Sequence, residues 1–151
     1  SVSKTVTLTP GDAVTVFDTE FGKMGLCVCF DIRFPELARL MVLGGARLIL
    51  VPAAFNDTTG PAHWELTFRA RALDNQCFYA GTSPALDGSF SYHAWGHSLA
   101  VDPWGRVLGQ LDRAPGALLT ELDLSETDRV RAQLPLLSAR RTDIYELRTL
   151  N

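Results

Sequence analysis

MGLCVCFDIRFPELARLMVLGGARLILVPAAF, residues 24–55, sets two apolar runs on either side of one amphipathic segment. Its first part, MGLCVCF, reads as a strand, because apolar residues follow one another with only a glycine between them. FPELARLMVLGG, residues 34–45, reads as a helix. Pro35 suits a first turn, Glu36 complements the positive end of the helix dipole, and Leu37, Leu40 and Met41 recur at i, i+3 and i+4. Gly44-Gly45 supplies the stop. RLILVPAAF, residues 47–55, is the continuous apolar run expected of a strand covered on both faces.

Working outward, VTVF (14–17) reads as a strand joined to MGLCVCF by a DTEFGK turn, which makes a hairpin. NDTTGPAH (56–63) is a loop by composition, and a second helix runs from Pro61 through WELTFRARALDNQ. Trp64, Phe68 and Ala72 fall on one stripe of it, with Leu66, Ala70 and Leu73 on an adjoining one. CFYAGTSP (77–84) is another strand, and HSLAVDPWGRVLGQL (97–111) is two strands around an Asp-Pro-Trp-Gly turn. ALLTELDL (117–124) reads as a further strand. SETDRVRAQLPL (125–136) opens a helix with Ser125 as N-cap and Asp128 three residues on. The tail from 136 to 151 is amphipathic in parts and suits an arm laid on a partner. The order predicts one α/β (α+β layered) domain without internal boundary or repeat. It brings the loops at 30–35 and 56–63 to one sheet edge, where such folds bind ligands.

Composition narrows the function. The chain has 151 residues, 46% hydrophobic and 21% charged, with a net charge of −3 and no clustering of sign. That provides no electrostatic footprint for nucleic acid or for an anionic membrane, and no apolar run reaches the ~20 residues of a membrane span. SVSKTVTLTPGD lacks the features of a secretory signal. Three cysteines, Cys27, Cys29 and Cys77, are an odd number, and the first two are too close in an extended chain to bridge easily. A reducing compartment fits, cytoplasmic by preference, with the mitochondrial matrix left open. A C-x-C pair without a second Cys or His pair predicts no metal site.

Cys29 stands at the end of the predicted strand, about five residues before the helix. It reads either as a buried structural thiol or as a nucleophile on a sharp turn, where a helix N-terminus favours thiolate. On the second reading the backbone N–H of Phe30 donates to an oxyanion. Arg33 reads as a bidentate clamp for a substrate carboxylate or as a surface ion pair with Asp31 or Glu36. Phe55 and Thr59 read as a pocket wall and a hydroxyl donor, or as loop packing. His63, at a helix start, is the candidate partner for a Cys–His hydrolase. His93 and His97, around Trp95 and Gly96, read as hydrogen-bonded structural groups.

GLCVCFDIRFPEL resembles the cysteine segment of the nitrilase (carbon–nitrogen hydrolase) superfamily, with Cys29 at the nucleophile position. The resemblance continues through VPAAFNDTTGPAHWELTFRARALDNQCFYAGTSPA, YHAWGHSLAVDPWGRVL and PLLSARRTDIY, and is strongest to the ω-amidase branch. Cys27 and Phe30 depart from the usual small residue and the commoner Tyr. The resemblance implies a four-layer α-β-β-α sandwich, a homodimer, and cofactor-free amide hydrolysis by a Glu, a Lys and the Cys through a thioester. It also implies a small amide substrate with a free carboxylate, of the 2-oxoglutaramate or 2-oxosuccinamate type, and so favours Arg33, Phe55 and Thr59 as its binding residues. Deaminated-glutathione amidases and N-carbamoyl amidohydrolases of the same superfamily are the alternatives within the class. A catalytically incomplete binding or assembly module is the alternative outside it. The family's Glu and Lys precede its cysteine segment by many tens of residues. Here the lysines are Lys4 and Lys23, and before Cys29 the only glutamate is Glu20. The expectation is that residues 1–151 form the C-terminal part of one hydrolase domain, inactive alone, whose N-terminal half is supplied separately or lost.

Overall fold

The computed structural model describes residues 8–150; Lys4 lies outside them. Six strands form one sheet in chain order, β1 (Val16–Thr19), β2 (Gly22–Leu26), β3 (Leu48–Pro52), β4 (Phe78–Thr82), β5 (Leu99–Val101) and β6 (Val107–Gln110). The central pairs β2/β3 and β3/β4 are parallel, and the flanking pairs are antiparallel. Parallel neighbours need a crossover, and two helices provide them: α1 (Pro35–Leu43) between β2 and β3, and α2 (Thr59–Asn75) between β3 and β4.

Both helices bury into one cluster on one side of the sheet. Ala38, Met41 and Val42 of α1 and Trp64, Phe68 and Ala72 of α2 meet Ile49, Val51, Tyr79, Leu99 and Val101 there. The predicted Trp64–Phe68–Ala72 stripe is therefore the buried one, while Leu66 (68% exposed) and Leu73 (44%) of the adjoining stripe face outward. An aromatic chain runs through the core: Phe55 to Trp64 at 5.1 Å, Trp64 to Phe68 at 4.7 Å and Phe68 to Tyr79 at 6.2 Å between centroids. Alternate residues point to the other side of the sheet. There Phe17 pairs with Met24, Met24 with Leu48, and Leu26 with Leu50. Phe17 and Leu26 on this apolar face are each 38% exposed.

Some element boundaries move from their predicted places. The strand from MGLCVCF ends at Leu26, because Cys29–Arg33 turns into a 3-10 helix. α2 begins at Thr59, two residues before Pro61, because Asn56 supplies the start: its Oδ1 accepts the N–H groups of Thr58 and Thr59 at 3.0 and 2.9 Å. Residues 117–124 alternate as a strand would, yet join no ladder among the described residues. The segment lies over the sheet, with Leu118 against Gly109, and its Leu124 carbonyl accepts from Arg47 at 3.4 Å. The last helix, α3 (Glu126–Gln133), starts after Ser125 as predicted. Its cap bond is absent, however: Ser125 Oγ donates to Asp123 at 2.6 Å, and Asp128 pairs bidentately with Arg47 at 2.8 and 3.0 Å. Arg47 and Gln76 precede β3 and β4, so α3 docks at the end of the sheet opposite the one described next.

Candidate active site

The site grows from the C-terminal ends of β2, β3 and β4. Past Leu26, the Cys27 N–H extends the parallel ladder by one bond, to Leu50 O at 3.1 Å. Val28 is still extended (φ −118°, ψ 120°), and at Cys29 φ turns to +50°. A non-glycine residue held there stores about 1–3 kcal/mol that its surroundings must offset. Asp31 provides part of that offset. Its Oδ2 accepts the Val28 N–H at 2.9 Å while its own N–H donates to Val28 O at 3.1 Å, which locks the turn from both sides. Arg71, reaching from α2, donates to the carbonyls of Ile32 and Arg33 at 3.0 Å each and so fastens the turn to the helix layer. The sequence marks Arg71 only as a basic residue one turn after the buried Phe68, and nothing in that spacing assigns it a partner.

Across from the turn lies the loop after β3. Cys29 Sγ is 3.9 Å from Ala54 O, and the same carbonyl accepts from Tyr92 Oη at 2.6 Å. Burial, and then the nearby Cys29 charge, raise the Tyr92 phenol above its ordinary pKa. The loop is braced on several sides. Trp95 N–H donates to Phe55 O at 2.7 Å, Arg113 to Asp57 Oδ1 at 2.7 Å, and His93 Nδ1 lies 3.3 Å from Asp57 Oδ2. Gly60 lets the start of α2 close on Trp95, since a Cβ there would fall 2.2 Å from the indole. His97 stacks on Trp95 at 4.3 Å, with its Nδ1 2.6 Å from Trp95 O. Tyr92, within a loop-rich stretch, offers no spacing signal in the sequence.

Arg33 turns away from Asp31 and Glu36. Its guanidinium lies 4.6 Å from the Phe55 ring centroid and 5.9 Å from that of Phe30, and Nη1 is 3.2 Å from His63 Nδ1. Phe55 is buried and packs edge-on against Trp64. Thr59 gives its hydroxyl proton to Asn56 Oδ1 at 3.1 Å. Cys29, Phe30, Arg33, Phe55 and His63 therefore share one sheet end, with His63 on Arg33. Lys23 is elsewhere, its Nζ 2.8 Å from Asp18 in the β1–β2 hairpin.

The three thiols differ in surroundings. Cys27 is buried, and desolvation followed by the Asp31 charge pushes its pKa up to about 12. Cys77 is fully enclosed and burial pushes it up to about 12 as well. Cys29 is partly exposed. Among the described residues, no group of three or more His, Cys, Asp and Glu could hold a metal ion, and no helix is long and apolar enough to cross a membrane.

Residues 2–132 match the family described as carbon-nitrogen hydrolase. The chain is 50% identical over 139 residues to omega-amidase NIT2 of Mus musculus, covering 92% of this chain and 50% of that protein. The crystal structure of Saccharomyces cerevisiae Nit3, a member of branch 10 of the nitrilase superfamily, superposes with a TM-score of 0.85 at 43% identity. It covers 90% of this chain and 50% of that one. A mutant amidase from Nesterenkonia sp. AN1, with the acetamide moiety of fluoroacetamide added covalently at its active site cysteine, superposes at a TM-score of 0.71 and 28% identity. That match covers 90% of this chain and 48% of the amidase. The chain spans about half the length of the relatives it matches.

Proposed function

The chain belongs to the carbon–nitrogen hydrolase family, and we propose that it is the nucleophile-bearing part of an ω-amidase-like amidohydrolase. The observation that carries this reading is Cys29 at its positive-φ turn, with Arg33 stacked on the Phe55 ring at the same sheet end. The Nesterenkonia amidase, whose active site cysteine takes up the acetamide moiety, supports the assignment of the cysteine.

In the proposed reaction Cys29 Sγ attacks the terminal amide carbon of a linear ω-amide, of the 2-oxoglutaramate or 2-oxosuccinamate type. The backbone N–H of Phe30, in the same turn, donates to the oxyanion. The C–N bond breaks, the thiol proton leaves with the nitrogen as ammonia, and a Cys29 thioester remains. Water then adds to that carbonyl, the C–S bond breaks, and the acid is released with the thiol restored. Arg33 takes the substrate's free carboxylate, with Phe55 beneath it and Thr59 at the rim. Lys23 is tied to Asp18 in the hairpin, which supports a reading in which the family's Lys and Glu come from the other half of the domain. That half covers the apolar sheet face of Phe17, Met24, Leu26 and Leu50. A homodimer buries the outward Leu66 and Leu73 together with Ile144 of the tail, which is 68% exposed.

Joining this chain with a family N-terminal half should give ammonia release from 2-oxoglutaramate, together with a mass-detectable acyl adduct on Cys29. A folded assembly that releases no ammonia from any ω-amide would overturn the reading.

A further inference from the structure

Arginine is long and flexible, and a clamp works best when it is already aimed before the ligand arrives. Arg33 is aimed from three sides. Its carbonyl is held by Arg71 at 3.0 Å, its guanidinium lies over Phe55 at 4.6 Å, and Nη1 meets His63 Nδ1 at 3.2 Å. The third contact fixes a protonation pattern. A guanidinium only donates, so in this contact His63 Nδ1 is the acceptor, which is the tautomer with the ring proton on Nε2. The backbone that carries the ring is anchored by its neighbour. His63 rides on α2 next to Trp64, which is 1% exposed and whose Nε1 donates to His97 O at 2.7 Å. A guanidinium carries five N–H donors in a planar fork, so one bond to His63 sets the plane without exhausting the donors that a carboxylate needs.

We propose that His63 is a positioning residue for substrate choice: its Nδ1 lone pair holds the Arg33 fork in the attitude that receives a substrate carboxylate. This rests on the reading of Arg33 as the carboxylate clamp. It also gives His63 a role other than general base for Cys29, because the lone pair that would take the thiol proton at Nδ1 is already engaged.

The test compares succinamate with butanamide, the same ω-amide with a methyl group in place of the carboxylate, in the assembled enzyme. In the wild type, kcat/KM should favour succinamate, and Arg33→Ala should erase the preference. His63→Ala should raise the KM for succinamate about tenfold, with kcat moving less than about threefold, and should cut the preference by a similar factor. His63→Phe keeps the ring's bulk without the acceptor and should match His63→Ala. His63→Gln, which offers a carbonyl acceptor, should recover most of the loss. In an Arg33→Ala background, removing His63 should add little. Equal losses on both amides, a Phe variant that behaves like wild type, or additive effects with Arg33→Ala would overturn the inference while leaving the clamp in place. If Arg33→Ala leaves the preference for succinamate intact, the clamp and the inference fall together.

Discussion

Cys27 closes the parallel ladder with its sulfur inside the core, while Cys29, on the far side of Val28, sits at φ +50° and faces the loop after β3. The side chains are identical and their neighbours in sequence are similar. What differs is the backbone. A ladder bond to Leu50 keeps Cys27 extended and enclosed, whereas the Asp31 brace bends the chain at Cys29 and lifts that thiol out of the core. One strand end thus gives a structural thiol and a candidate nucleophile, and the difference can be broken or sharpened by experiment.

The largest contrast should be catalytic. Cys29→Ala is expected to reduce ammonia release by the assembled enzyme by at least about a thousandfold, and Cys27→Ala by no more than a few-fold, at a stability cost of about 1 kcal/mol. Comparable losses from the two variants would abolish the distinction. Next comes alkylation. With a pKa near 12, Cys27 should react with iodoacetamide at pH 8 at least about a hundredfold more slowly than a free thiol, as read by peptide mass mapping of the folded protein. Modification of Cys27 at a free thiol's rate would show that burial does not protect it.

A smaller effect is expected in alkali. Below the usual thiol pKa, both folded and unfolded chains keep the Cys27 proton, and its contribution to stability is fully present. Above that value the unfolded chain loses the proton, which the folded chain keeps up to about 12, so stability falls across this window. At about 1.4 kcal/mol per pH unit for each thiol, Cys27→Ala should lose about 2 kcal/mol less than wild type between pH 8 and pH 10 in denaturant titrations. Parallel losses in the two proteins would rule that out. The smallest effect concerns the brace: Asp31→Asn should cost about 1 kcal/mol and lower the Cys27 pKa, because the Asp31 charge is the lesser of its two causes. A pKa that rises instead would reverse the assigned sign.

Much of the fold could be read before folding because its signals are local. Pro35 and Gly44-Gly45 bracket α1, Trp64, Phe68 and Ala72 mark the buried side of α2, and Gly105 takes φ +81° in the turn that begins at Asp102-Pro103. The misplaced features depend on distant partners. The period-two pattern of residues 117–124 is that of a strand, yet among the described residues no neighbouring strand receives it. Asp128 has the spacing of a capping residue, but Arg47, 81 positions away, takes its carboxylate. In the site, the segment from Cys29 to Arg33 was legible as one continuous motif. Arg71, Tyr92 and the pairing of His63 with Arg33 were not, because each joins residues about 30 or more positions apart.

The sequence by itself determined the order of the six strands and three helices apart from the strand expected at 117–124, the family, and the cysteine at the turn, since these rest on propensity, periodicity and a contiguous motif. Tertiary structure alone decided what each polar group does. His63 meets a guanidinium rather than a thiol, and Arg33 lies on an aromatic ring rather than beside a carboxylate. The physical reason is that hydrogen bonds and ring contacts are satisfied in space, and the parallel sheet brings to one edge groups that the chain keeps far apart.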